Sequence, residues 1–93
     1  MEWKYKKYNG WSNYFTWNAA LYIDNEYHLY QAACVYARDY QGDKDKIYES
    51  FIEFMGLKNH RTGDGVLYLG PNTNIKEMNA YMDAHNLVRY NSK

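Results

Sequence analysis

The spacing of apolar side chains predicts a first helix in residues 12–25. Trp17, Ala20 and Leu21 recur at i, i+3 and i+4, which places them on one face of an α-helix. We therefore expect Trp17 and Leu21 to belong to the core. Small polar residues that commonly cap a helix N-terminus precede or begin this segment, namely Ser12, Asn13 and Thr16.

A second helix is predicted from Glu26 to about Tyr40. Asp24-Asn25 breaks the first helix and doubles as the expected cap of the second. The apolar positions form two neighbouring stripes and therefore one wide apolar face. The stripes consist of Tyr27, Tyr30, Cys34 and Ala37, and of Leu29, Ala33, Tyr36 and Tyr40. Gly42 is the expected left-handed residue after the helix.

Two further helices are predicted in the C-terminal half. The third starts at an aspartate cap, Asp43 or Asp45, and ends near residue 55. The fourth runs from Thr73 or Asn74 to about residue 86. The side chains expected to face the core are Ile47, Phe51, Phe54 and Met55 in the third helix, and Ile75, Met78 and Met82 in the fourth.

Two segments outside the helices have β character. Residues 66–69 are β-prone and lie between the turn-forming sequences Gly63-Asp64-Gly65 and Gly70-Pro71. Residues 1–11 alternate basic and aromatic side chains and contain the turn pair Asn9-Gly10, so they form either an edge strand or a flexible arm. Pairing of the two segments would give a short two-stranded β element, which is marginal unless it packs on helices.

The predicted fold class is mainly α, a small bundle of about four helices in a single domain over residues 1–93. The two-stranded element, where it forms, makes the class α+β. The mean hydropathy of −0.83 is typical of a disordered chain. However, aromatic residues make up 19% of the chain, twelve of them tyrosine, and the formal net charge is zero. Disordered chains lack aromatic residues and carry high net charge, so we expect this chain to fold.

The neutral charge balance also narrows the function. It argues against a strongly acidic DNA mimic and against a strongly basic, non-specific DNA binder. The N-terminus lacks the apolar region of a secretory signal, and no stretch approaches the ~20 apolar residues of a membrane span. Cys34 is the single cysteine, which rules out an internal disulfide and fits a reducing compartment. A cytoplasmic protein without membrane contact is the expectation.

No catalytic, metal-binding or cofactor-binding residue is predicted. Cys34 and the three histidines, His28, His60 and His85, do not have the spacing of a zinc site. Cys34 lies in the middle of a helix among alanines and Val35, which is typical of a buried, unreactive thiol. The carboxylate pairs lie on solvated faces or at helix starts. An enzyme is therefore the least favoured class.

Two asparagines in the first predicted helix stand out. Asn13 lies just before the apolar face of this helix. Asn18 lies within it, directly after Trp17. An asparagine in such a place usually makes a specific hydrogen bond. We favour a structural role, in which it holds a neighbouring loop, over direct contact with a partner.

Aromatic residues near the N-terminus are the candidate partner-binding surface. Twelve tyrosines exceed what a core of this size hides, and tyrosine is enriched at interfaces. The residues expected to form this surface are Trp3, Tyr5, Tyr8, Trp11 and Tyr14. Lysines at positions 4, 6 and 7 make the same arm a candidate for stacking on nucleic acid, and self-association into a homodimer would also cover aromatic surface.

Residues 12–36 resemble a family of small uncharacterised proteins found mainly in bacteriophages, cyanophages and other marine phages among them. The family motif is close to S-N-Y-E-T-W-N-V-A-L-W-I-x-N-D-E-x-L-Y, and residues 12–30 read SNYFTWNAALYIDNEYHLY. Residues 63–66 and 74–85 are similar to the family's D-G-V-containing strand and its final helix. Phe15 replaces a usual acidic residue, and Tyr22 replaces a common tryptophan.

The resemblance implies a phage-like origin and a role in the cytoplasm of an infected host, and it implies no activity. We expect a non-enzymatic accessory protein that binds a host or phage protein and inhibits or redirects it. A nucleic-acid-binding accessory protein that uses the basic aromatic arm is the alternative.

Overall fold

The computed structural model describes the chain from residue 7 to residue 91, and its side chains as far as residue 85. Over this range the chain forms four α-helices, α1 (Tyr14–Asn25), α2 (Tyr27–Asp39), α3 (Ile47–Phe54) and α4 (Ile75–Asn91), with a 3-10 helix (Lys44–Lys46) before α3. Helix α4 packs on the other three, most extensively along α2. The prediction of a mainly α bundle of about four helices is confirmed.

The core lies where α1, α2 and α3 meet α4. Met78 and Met82 face it from α4 as predicted. Two predictions for α1 are wrong, because Trp17 and Leu21 are only half-buried. The buried face of α1 lies on neighbouring positions instead and consists of Thr16, Asn18, Ala19, Ala20 and Ile23. Hydrogen bonds of the first two of these residues hold the helix in this orientation.

The N-termini of α1 and α4 are tied to each other. The Ser12 backbone N–H donates to both carboxylate oxygens of Glu77, at 3.0 and 3.1 Å. In return, the Asn74 backbone N–H donates to the buried Thr16 hydroxyl at 2.9 Å. Side chains therefore satisfy backbone donors that a helix start or its preceding turn would otherwise leave unpaired. Thr16 lies inside α1 and accepts this hydrogen bond, so it does not cap the start of a helix.

Asn13 makes two side-chain hydrogen bonds where the N-termini of α1 and α4 meet. Its Oδ1 accepts from the Thr16 N–H at 2.8 Å and caps α1, and its Nδ2 donates to the Asn72 carbonyl at 2.9 Å. We expect Asn13→Ala to lower the free energy of unfolding by about 1 kcal/mol, since a helix cap is lost. Urea denaturation followed by circular dichroism measures this. Asn13→Asp keeps the capping oxygen, so a loss as large as that of alanine would contradict the capping role.

Two other helix boundaries differ from the prediction. Helix α2 is capped by Glu26, whose Oε1 accepts from the Leu29 N–H at 2.8 Å, since Asp24 and Asn25 still belong to α1. Gly42 is not left-handed, since α2 ends in the extended Tyr40. A Cβ at Gly42 would lie 2.7 Å from the Tyr40 hydroxyl, so a larger residue there would require the Tyr40 side chain to shift.

The C-terminal ends of α3 and α4 also depart from the predicted pattern. The Phe54 side chain at the end of α3 is 71% exposed, although its position was expected to face the core. Helix α4 continues to Asn91, beyond the predicted end near residue 86. The helical run has no glycine or proline after residue 75 to stop it.

Isolated bridges replace the predicted two-stranded element in the described part of the chain. Tyr8 and Trp11 exchange two 2.8 Å backbone hydrogen bonds across a two-residue turn at Asn9-Gly10, where φ is 49° and 89°. These values match a turn that requires two left-handed residues. Leu67 pairs with Arg61 across the turn at residues 62–66, so the β-prone run pairs locally.

Candidate functional site

A shallow surface groove of about 710 Å³ lies between the N-terminal turn, the end of α1, the start of α2 and one side of α4. The methyl groups of Ala80 and Ala84 form its apolar base. The larger side chains that line it are aromatic or ionisable: Trp11, Asp24, Tyr30, Glu77, Tyr81 and His85. Four separate segments of the chain therefore build the groove.

Four rings follow one another along this groove. Tyr81 and His85 are four residues apart on α4, so they lie on the same helix face, with ring centroids 4.3 Å apart. Trp11 packs edge-on against Tyr81 at 5.9 Å, and Tyr30 of α2 lies 5.4 Å from His85. Each ring thus orients the next, and together they form a continuous aromatic wall.

A short polar chain connects α1 to this wall. The Tyr81 hydroxyl donates to Asp24 Oδ1 at 2.8 Å. Burial, and then the adjacent Asp24 carboxylate, raise the pKa of Tyr81 well above its usual range, so its hydroxyl keeps the proton that it donates. Burial also raises the pKa of Tyr30. Both tyrosines therefore keep their hydroxyl protons near neutral pH.

His85 completes the polar chain. Its Nδ1 lies 2.7 Å from the Tyr81 carbonyl oxygen, and its side chain is buried, with 7% of the residue exposed. The other ring nitrogen, Nε2, makes no hydrogen bond with any described residue and lies 3.5 Å from Asp24 Oδ1. A buried polar atom of this kind is uncommon in a folded protein. Among the described residues that line the groove, His85 is thus a side chain with an unused hydrogen-bonding atom.

A second polar cluster joins α1 to the turn at residues 62–66. Asn18 is fully buried, and its Nδ2 donates to Asp64 Oδ2 at 2.8 Å. Its Oδ1 accepts from the Thr62 hydroxyl at 2.6 Å. The Thr62 oxygen in turn accepts from the N–H groups of Asp64 and Val66, each at 3.2 Å. The loop-holding role predicted for Asn18 is confirmed.

Two tyrosines of α1 surround the same turn. Burial and then the Asp64 carboxylate raise the pKa of Tyr14 and of Tyr22. A Cβ at Gly63 would lie 2.8 Å from the Tyr22 hydroxyl, so the turn packs tightly on this helix. The contacts of this cluster hold the turn at residues 62–66 against α1.

The structure places the described members of the predicted partner-binding surface in two separate groups. Tyr8 and Tyr14 come together edge-to-face at 5.4 Å, and Trp17 joins them at 4.7 Å from Tyr8. Trp11 instead contacts Tyr81 in the groove. All four of these residues are half-buried. Trp3 and Tyr5 lie outside the described residues, as do Lys4 and Lys6.

Five groove residues escaped prediction: Asp24, Tyr30, Glu77, Tyr81 and His85. The i, i+4 spacing of Tyr81 and His85 was the one available signal, since it places both on one helix face. Asp24 has the pattern of a helix end, and Tyr30 that of a core stripe. Their convergence depends on how α1 and α2 pack against α4, which the local pattern does not contain.

The remaining candidate residues have structural or surface positions. Cys34 is buried, as predicted, whereas His28 and His60 are exposed. Within residues 7–85, no three side chains of the metal-binding types come together. No helix in the described range is both long and apolar enough to cross a bilayer.

Fold and site together define a small, mainly helical domain with an aromatic groove on its surface. The chain belongs to the family of unknown function DUF7249, whose pattern matches residues 4–89. No curated protein and no solved structure matches the chain.

Proposed function

We propose that this protein is a non-enzymatic accessory protein that acts by binding another protein. One observation carries the proposal, the aromatic surface around the N-terminal turn. Five rings there are half-exposed within a few residues of each other: Tyr8, Trp11, Tyr14, Phe15 and Trp17. Tyrosine and tryptophan with an accessible face are the residues that most often dominate binding energy at protein interfaces.

The packing of these rings supports recognition. Tyr14 contacts Tyr8, Phe15 and Trp17 with centroid distances between 5.4 and 5.9 Å. Neighbouring rings restrict each other, so a partner would not have to immobilise them one by one. Preorganisation of this kind lowers the entropy lost on binding.

Binding is a better proposal than catalysis because several groups that could react are already engaged. The Cys34 thiol is buried. Glu77 accepts two contacts from the Ser12 N–H, and Tyr81 is held protonated by its surroundings. These groups support helix ends and helix packing.

The proposed partner is a host protein, and a phage protein is the second choice. The resemblance of residues 12–30 to small phage proteins supports a phage origin and action in the cytoplasm of the host. Small accessory proteins of phages commonly inhibit or redirect a host enzyme or complex. This part of the proposal rests on the resemblance and not on the groove.

We expect the tagged protein to capture one stoichiometric protein from nuclease-treated host-like bacterial lysate, identified by mass spectrometry. Trp11→Ala and Tyr14→Ala should each reduce capture roughly tenfold or more, since each removes an interface ring. Phe54→Ala is the matched control, because it removes an exposed ring from the end of α3. Thermal melts verify that all variants fold.

Two results would contradict the proposal. Undiminished capture by both ring variants would exclude the N-terminal aromatic surface. Nuclease-sensitive recovery of many nucleic-acid proteins would instead favour the alternative, in which exposed Lys7 and half-buried Tyr8 belong to a nucleic-acid-binding arm. That alternative also predicts an affinity for single- or double-stranded probes that falls steeply with salt.

A further inference from the structure

We propose that the groove between α1, α2 and α4 binds a primary alkylammonium group, presented either by a lysine side chain or by a free alkylamine. This inference goes beyond protein binding as such and does not depend on it. It rests on the unpartnered nitrogen of His85, on the charge of the groove and on its aromatic wall.

The unpartnered nitrogen is a hydrogen-bond acceptor. A carbonyl oxygen only accepts, so the 2.7 Å contact between His85 Nδ1 and the Tyr81 carbonyl requires a proton on Nδ1. In the neutral ring, Nε2 then carries a lone pair. This atom is buried and makes no hydrogen bond within the part of the chain that the structure describes. An unsatisfied buried acceptor favours any ligand that brings a donor to it.

A second acceptor lies beside the first. Asp24 Oδ1 is 3.5 Å from His85 Nε2, which is longer than a charge-assisted hydrogen bond. Two acceptors at this spacing can both receive N–H bonds from one nitrogen placed against them. An ammonium has three donors and no acceptor, so it satisfies both atoms at once. The parallel N–H pair of a guanidinium suits the closer oxygens of a single carboxylate.

The charge of the groove favours a cation. Asp24 and Glu77 are its formally charged side chains among the described lining residues, and both are negative. Neither carboxylate is paired with a lysine or arginine in the described part of the structure. A positive ligand would supply the missing counter-charge next to Asp24.

The rings and methyl groups account for the alkyl part. Trp11, Tyr30 and Tyr81 line the groove together with Ala80 and Ala84. Aromatic faces attract a cation held within about 6 Å of the ring centre. They also cover the carbon stem of the ligand. The combination of two acceptors, negative charge and aromatic walls therefore selects an ammonium on an apolar chain.

Titration of the ¹⁵N-labelled protein with n-butylammonium chloride tests the site, with sodium chloride matched in every sample. We expect saturable shifts of the backbone amides that surround the groove and of the His85 ring nitrogens. 1-Butanol is the neutral comparison, and its Kd should be roughly tenfold higher or more, since it lacks the charge. Equal affinity for the two compounds would overturn the proposal.

Two substitutions make the test specific. Asp24→Asn should raise the Kd for n-butylammonium roughly tenfold or more, because one charged acceptor is lost. Glu53→Gln is the matched control, since it removes one negative charge from an exposed site on α3. His85→Phe keeps the ring and removes the acceptor, so binding should weaken similarly. Unchanged affinity in both groove variants would overturn the proposal.

The tautomer of His85 provides an independent readout. Long-range ¹H–¹⁵N spectra of the free protein should show the proton on Nδ1 and a lone pair on Nε2. A protonated ring would donate to Asp24 itself and close the site, so finding an imidazolium would overturn the proposal without any ligand.

Two further probes distinguish the source of the ammonium. Nα-acetyl-lysine methylamide represents a lysine side chain, and 1,5-diaminopentane represents a free amine. Tighter binding of the lysine compound would support a peptide-borne group, and tighter binding of the diamine a small molecule. Failure of both, with n-butylammonium also inert, would overturn the site while leaving the proposed protein binding to its own test with Tyr14→Ala.

Discussion

Replacement of Phe51 by alanine is expected to lower the free energy of unfolding by about 3–5 kcal/mol. The Phe51 ring on α3 is 0% exposed and belongs to the core cluster. It also lies 5.5 Å from the ring of Tyr36 on α2. The substitution removes a buried aromatic ring and leaves a cavity between helices. Guanidinium denaturation followed by circular dichroism measures the loss.

Phe54 provides the matched control on the same helix. Its ring is 71% exposed and contacts Tyr36 at 5.1 Å. Phe54→Ala should therefore lower the free energy of unfolding by only about 1 kcal/mol or less. Similar losses at the two positions would show that α3 presents a different face to the core from the one described.

Asn18→Ala should lower the free energy of unfolding by about 2–4 kcal/mol, since it breaks a buried hydrogen-bond network. Both partners of the amide would lose a contact. The Thr62 hydroxyl would have no acceptor in place of Asn18 Oδ1, and the Asp64 carboxylate would lose a donor. Urea denaturation gives the stability, and hydrogen exchange of the Val66 amide reports on the turn.

A double-mutant cycle between Asn18→Ala and Thr62→Val isolates the shared interaction. We expect a coupling energy of about 1–2 kcal/mol, because residues in one buried network are not additive. Thr62→Ser keeps the hydroxyl and should retain most of the stability. Simple additivity of the alanine and valine variants would show that the two side chains do not act together.

These expected effects assign a structural role to the polar residues of the segment 12–30. Asn13 caps α1, Thr16 receives the Asn74 N–H, and Asn18 holds the turn at residues 62–66. The polar residues that carry the resemblance to phage proteins thus account for local architecture. Three of the proposed binding residues, Tyr14, Phe15 and Trp17, alternate with these polar residues in the same segment, and Tyr8 and Trp11 precede it.

Local pattern was sufficient wherever a residue acts on its own helix. Helix α3 ends at Phe54, close to the predicted end near residue 55, and Gly56 follows with a positive φ of 73°. Glu49 and Glu53 are exposed, as expected of a solvated face. Short-range periodicity determines these features, since i, i+4 neighbours and turn residues interact within a few positions.

By itself the sequence determined four helices, a mainly α class and a polar role for Asn18, because periodicity and capping chemistry are local. Only the tertiary structure decided which faces are buried. Trp17 and Phe54 have core-type spacing, yet neither is buried. The hydrogen bonds of Thr16 and Asn18 turn another face of α1 to the core and leave Trp17 half-buried, and Phe54 lies at the exposed end of α3. The groove is likewise tertiary, since Asp24 and His85 are 3.5 Å apart in space and sixty-one positions apart in the chain.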